Sequence, residues 1–142
     1  MKKLELKLYG DPKVFCRSVL QTDDKDTIKD KKRLPFEATQ IAVLHVYYGE
    51  EKYILHNPAP FQYDGATIPF GLCKGNPKLW IPALFHDLMM KDKSLIDYNR
   101  FLSSLIFYKL LRIHTVNWVF AFLMFMFVDT WQRHIKGWRR NK

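Results

Sequence analysis

Cysteine is scarce in this chain. Cys16 and Cys73 are the only two, they lie far apart, and neither belongs to a CxxC pair. A disulfide between them stays open, but two separate structural thiols are the simpler expectation. Walker loops, dinucleotide fingerprints and zinc-finger spacings are also missing, so nucleotide and structural-zinc chemistry have no motif to rest on. No internal repeat or low-complexity tract occurs, and no linker is long enough to divide the chain. Met1 to Lys7 places charges where a secretory signal would need an apolar run, so no such signal is expected. Acidic residues are outnumbered by basic ones, 14 to 23, leaving a formal net charge of +9. That balance suits an acidic partner such as nucleic acid, anionic lipid or a cell-wall polyanion. No recognised nucleic-acid module accompanies it, which makes nucleic acid the weakest of these.

What is present is apolar and aromatic. Hydrophobic residues make up 48% of the 142, too many for a disordered chain, and 15% are aromatic, which favours a compact interior. Leu4, Leu6 and Leu8 alternate with Glu5, Lys7 and Tyr9, the period of a half-buried strand, and Gly10-Asp11-Pro12 ends it. Lys13 to Leu20 is ambiguous. Asp23 to Arg33 carries both charge signs and one apolar residue, Ile28, and reads as a solvated loop or short exposed helix. Ile41 to Tyr48 and Lys52 to Leu55 are rich in β-branched and aromatic residues, with Gly49-Glu50-Glu51 as a turn, which predicts a β-hairpin. Asn57-Pro58-Ala59-Pro60 then stops the sheet.

Helices are expected next. Asn76-Pro77 has the form of a helix start, with Pro82 kinking the helix or restarting it near Ile81, and the segment runs to about Met90. Ser94 to Asp97 resembles a capping box and predicts a long helix to about Ile113. A last helix should begin near Thr115. Val116 to Val128 is apolar on all sides except Asn117. It reads as a buried core helix or, with Trp131, Ile135 and Trp138 set among Arg133, Lys136, Arg139 and Arg140, as a basic amphipathic end in peripheral contact with a membrane. Together these segments predict one α+β domain. A small antiparallel sheet spans about residues 1–56, a motif loop 57–77, and helices 78–138.

Two stretches carry polar groups in apolar settings. In Phe61 to Pro69, Asp64 and Thr67 lie between Phe61, Tyr63 and Phe70; in Leu84 to Leu88, His86 and Asp87 interrupt a hydrophobic run. Burying such groups costs several kcal/mol unless they are paired. Asp64 before Gly65 forms a turn or presents a carboxylate. His86 is a general base, a metal ligand or a hydrogen-bonded core residue. Asp87 either serves the same site or pairs with Lys91 one helical turn on. If the loop packs on the helix, Asp64 would orient His86 as base, or the two would share a divalent metal that activates water, with Asp97 as a further ligand. Thr67 and Tyr63 would position substrate. His45, His56, His114 and His134 lack a ligand-like spacing with this set.

Asp64-Gly65-Ala66-Thr67-Ile68-Pro69 followed by His86-Asp87 resembles the phage and prophage family catalogued as domain of unknown function 1353. That family's pattern is an Asp-Gly-Ala-Ser-Ile-Pro loop, a His-Asp pair, a helix with an acidic or amide residue, and a final aromatic helix. Thr67 keeps the hydroxyl of the usual serine, Asp97 or Asn99 fits the helix position, and Met89 or Met90 stands where tyrosine is frequent. The resemblance covers roughly Phe36 to Trp138. It implies a phage or prophage origin, in the virion or the host cytoplasm, but no activity. A hydrolase-like accessory protein directed at the bacterial cell envelope is the leading expectation. A non-catalytic virion or tail component, with the same residues locking loop to helix, is the alternative.

Overall fold

The computed structural model describes residues 2–65, 72–134 and 138. The chain begins with β1 (Leu4–Tyr9), as the alternation predicts, and Gly10 closes it with φ +83°. The ambiguous segment contains a short strand, β2 (Val14–Cys16). Helix α1 (Lys25–Arg33) follows, capped by Asp24, which accepts from the Thr27 N–H, and it buries no residue. Of the solvated loop and the short exposed helix that its charge density allows, it is the helix.

Three further strands precede the motif, β3 (Phe36–Ala38), β4 (Val43–Tyr48) and β5 (Glu51–His56), and a fourth, β6 (Phe61–Tyr63), lies within it. The expected hairpin is β4–β5. Its register pairs Tyr48 with Glu51, so the loop is Gly49-Glu50, with Gly49 at φ +62°. Glu51 belongs to the strand rather than the turn. The expected sheet is in fact two, each antiparallel and three-stranded, in the orders β1-β4-β5 and β2-β3-β6. The proline stop after β5 is real, but the motif stretch is not all loop, because Phe61–Tyr63 pairs with β3. Three-residue strands fall below the length at which periodicity is visible, which is why β3 and β6 escape a pattern reading.

Asn57 joins the two sheets. It is buried; its Oδ1 accepts from the Ala42 N–H at 3.0 Å and its Nδ2 donates to the Gln40 and Pro58 carbonyls, both at 2.9 Å.

The C-terminal half is helical. A short α2 (Leu72–Gly75) leads into a 3-10 turn (Pro77–Leu79) capped by Asn76, and α3 (Trp80–Lys91) continues from it. Pro82 thus falls in the first turn of α3, where its missing N–H is not needed. The capping-box expectation is corrected. Ser94-Leu95-Ile96 lies in a second 3-10 turn (Lys93–Ile96) capped by Asp92, and Asp97 and Tyr98 are both left-handed at φ 59°. Helix α4 (Arg100–Ile113) begins only after this, with Asn99 as its cap accepting from the Leu102 N–H at 3.0 Å. Its end falls where expected.

Helix α5 (Trp118–Gln132) is capped by Asn117. It packs along α4, which also contacts α3 and β1. The buried-core reading of this segment holds for one side only. Ala121, Met124, Val128, Asp129 and Gln132 are buried, while Val119, Phe122, Leu123, Met126 and Phe127 are exposed. No described helix is long and apolar enough to cross a membrane. Residues 135–137 and 139–142, including three of the expected basic positions, lie outside the described residues.

Replacing Asn57 by alanine strands the Ala42 N–H and the Gln40 carbonyl. Asn57→Ala is expected to cost about 2–3 kcal/mol and to lower the melting temperature by roughly 5–10 °C, read by thermal unfolding.

Candidate functional site

Strand β6 aims the motif. Its alternation buries Phe61 and Tyr63 and leaves Gln62 on the other side, where it donates to Glu37 at 2.9 Å. Tyr63 stacks on Phe36 at 5.4 Å between centroids, and its hydroxyl donates to the Trp80 carbonyl at 2.7 Å. The Trp80 indole N–H in turn donates to the Cys73 carbonyl at 2.6 Å. This aromatic cluster joins the end of the sheet to the start of α3, so the chain leaves Tyr63 in a fixed direction.

Asp64 is then exposed and Gly65 buried. Gly65 has φ +64°, and a Cβ there would sit 2.9 Å from Phe36 Cε2 and 3.2 Å from Cys73 Sγ. Both the backbone conformation and the space require glycine. Its N–H donates to Asp87 Oδ2 at 3.4 Å, a long bond that ties the loop to α3.

A cleft of about 200 Å³ opens beside this junction, lined by Leu34, Tyr63, Asp64, Asp87, Met90, Lys91 and Trp131. The structure therefore brings Asp64, Asp87 and Tyr63 together. Asp87 is 9% exposed, so one carboxylate is nearly buried and the other meets water. The Lys91 ammonium, expected as an ion-pair partner for Asp87, lies over the Phe61 ring at 4.7 Å. Among the described residues, neither His86 nor Asp97 lines the cleft. Thr67 lies outside the described residues.

His86 follows the geometry of adjacent helix positions, about 100° apart, and faces inward while Asp87 faces the cleft. It is fully buried, its Nε2 meets the Gln132 amide, and its ring packs against Phe107 at 5.3 Å. Burial pushes its pKa down to about 3. This is the hydrogen-bonded core environment among the three readings of His86. Asp97 sits exposed at the left-handed end of the second 3-10 turn. Among the described residues, no group of three or more His, Cys, Asp or Glu side chains is arranged to hold a metal ion.

Two other titratable groups border the site. Burial, followed by the charges of Cys73 and Asp87, raises the Tyr63 phenol well above its ordinary range. Burial, with Asp87 next, pushes the Cys73 thiol up to about 12. Both stay protonated at neutral pH, so neither supplies an anionic nucleophile there.

Two residues of this neighbourhood, Gln132 and Asp129, escape a sequence reading, and Trp131 is read there only as part of a basic amphipathic end. Gln132 and Asp129 are polar interruptions on the buried side of α5, and Trp131 forms a wall of the cleft. The signal was available, since Ala121, Val128 and Gln132 recur at helical spacing and Asp129 is the only acidic residue after Asp97.

An unfolded histidine titrates near 6.5, and His86 in the fold titrates near 3. Between these values the unfolded state binds the extra proton. Stability is therefore expected to fall as pH drops below about 6.5, by up to about 1.4 kcal/mol per pH unit. Urea unfolding at a series of pH values should reveal this slope, and His86→Gln should flatten it by about one proton.

Gly65→Ala is expected to cost about 2–4 kcal/mol, from the left-handed backbone and the clash with Phe36 together. Adding Phe36→Leu should recover only the clash, so melting of the double variant separates the two causes.

Compared with known proteins, the chain matches no family model, no curated protein and no solved structure.

Proposed function

We propose that the chain is a phage- or prophage-encoded accessory protein whose cleft binds and hydrolyses a polymer of the bacterial cell envelope. The observation that carries the reading is the pair of carboxylates, Asp64 exposed and Asp87 nearly buried, facing one aromatic-walled cleft. Two carboxylates in unlike surroundings can divide acid and base roles between them. In glycoside hydrolysis one protonates the leaving oxygen and the other acts as nucleophile or activates water. Asp87, held by the Gly65 N–H, suits the fixed role, and Asp64 suits the one that meets water. Trp131 offers an apolar face for a sugar ring, and Lys91 a donor at the rim. His86 acts through Gln132 as a positioning residue, keeping α3 in place. The phage origin rests on the motif resemblance, and the basic charge of +9 suits an anionic wall polymer. Peptidoglycan is the first substrate to try.

One observation favours a second reading. The Gly65–Asp87 hydrogen bond is a loop lock in its own right. A non-catalytic virion or tail component would need nothing more of these residues.

Release of soluble fragments from purified peptidoglycan separates the two. On the hydrolytic reading, Asp64→Asn lowers the rate by about 10²–10⁴-fold. On the structural reading the wild type releases nothing, and Asp87→Asn lowers the melting temperature. Release that survives both substitutions would sink the assignment of the aspartates.

A further inference from the structure

Helix α5 carries two apolar stripes. Ala121, Met124 and Val128 face the core, with Gln132 continuing the line. Val119, Phe122, Leu123, Met126 and Phe127 recur at i, i+3, i+4, i+7 and i+8 on the opposite side, and each is at least 42% exposed. Isolated exposed apolar residues are ordinary, but five on one face are a contiguous patch. Trp118, 60% exposed, sits at the start of the helix. An apolar groove lined by Leu105, Tyr108, Phe122 and Phe125 runs beside the patch, between α4 and α5.

Charge decides what this face suits. Beyond Asp97 the chain has eight lysines and arginines and one acid, Asp129, which is buried against Arg100 and Arg133. Arg112 is exposed near the end of α4, and Arg133 and His134 are exposed where α5 ends. Arg133, Lys136, Arg139, Arg140 and Lys142 follow the helix in sequence. Bringing two copies together through α5 would set these positive groups against their own kind. An anionic bilayer complements them.

We propose that the outer face of α5 docks on an anionic lipid surface, lying in the headgroup region without crossing. Fifteen residues give a helix about 22 Å long, short of the ~30 Å hydrocarbon core. The stripe reaches the acyl boundary, Trp118 lies at headgroup depth, and Arg112 and Arg133 meet lipid phosphates. The groove between α4 and α5 accepts the end of an acyl chain. The inference is independent of the cleft chemistry.

Co-sedimentation with vesicles of phosphatidylglycerol and phosphatidylcholine in equal parts, against pure phosphatidylcholine, tests it. The full chain should bind the anionic vesicles at least about tenfold better. Leu123→Ser with Phe127→Ser should lower that binding about tenfold or more without changing the melting temperature, since both side chains are exposed. Three results would overturn the proposal: no binding at low salt, binding indifferent to the serine pair, or light scattering that reveals a dimer which the serine pair dissolves. The last would give the face to a second copy of the chain.

Discussion

The rotation of α5 about its own axis is the constraint on which the helical half depends. A helix apolar on nearly every side can turn without losing hydrophobic burial, since either stripe would fill the core. The polar residues remove that freedom. Asp129 accepts from Arg100 and from the Ser104 hydroxyl, the latter at 3.0 Å, and Gln132 meets His86. Turning α5 by one residue would swing Asp129 by about 100° away from these donors. Separating a buried carboxylate from its donors costs several kcal/mol, more than one apolar stripe gains over another. Two polar residues therefore choose which apolar face is hidden, and the other is left outside as a consequence.

The same logic governs the cleft. Its two aspartates lie 23 residues apart in the sequence, and the backbone hydrogen bond at Gly65 joins their elements. That bond exists because a residue without a Cβ passes between Phe36 and Cys73. The aromatic cluster of Phe36, Tyr63 and Trp80 then fixes the sheet against α3. His86 belongs to this framework as much as Asp87 does. One faces Gln132 in the interior, and the other faces the opening.

Much of this was legible in the sequence. The Leu4–Tyr9 alternation, the Gly49 turn and the charge density of α1 each record a local preference, and local preferences survive folding. The three strands of three residues did not register, because their pairing is decided by distant partners. The Ser94–Asp97 box misled because Asp92 and Asn99, on either side, compete for the same capping role and both succeed. At the site, residue types marked Asp64, Asp87 and His86 as unusual in their surroundings. Which of them share a cleft depends on a rotation of 100° between neighbours, and that is a tertiary fact.

Trp131 belongs both to the wall of the cleft and to α5. It lies twelve residues beyond Val119, about 120° round the helix axis from that side of the outer stripe. A molecule resting on the stripe would hold the mouth of the cleft toward its flank, neither pressed against the support nor lifted away from it. Material spread in a layer alongside the bilayer could then enter edge-on, while a molecule arriving from bulk solution would have to come in sideways. The pitch of one helix would in this way set the direction from which anything reaches the aspartates.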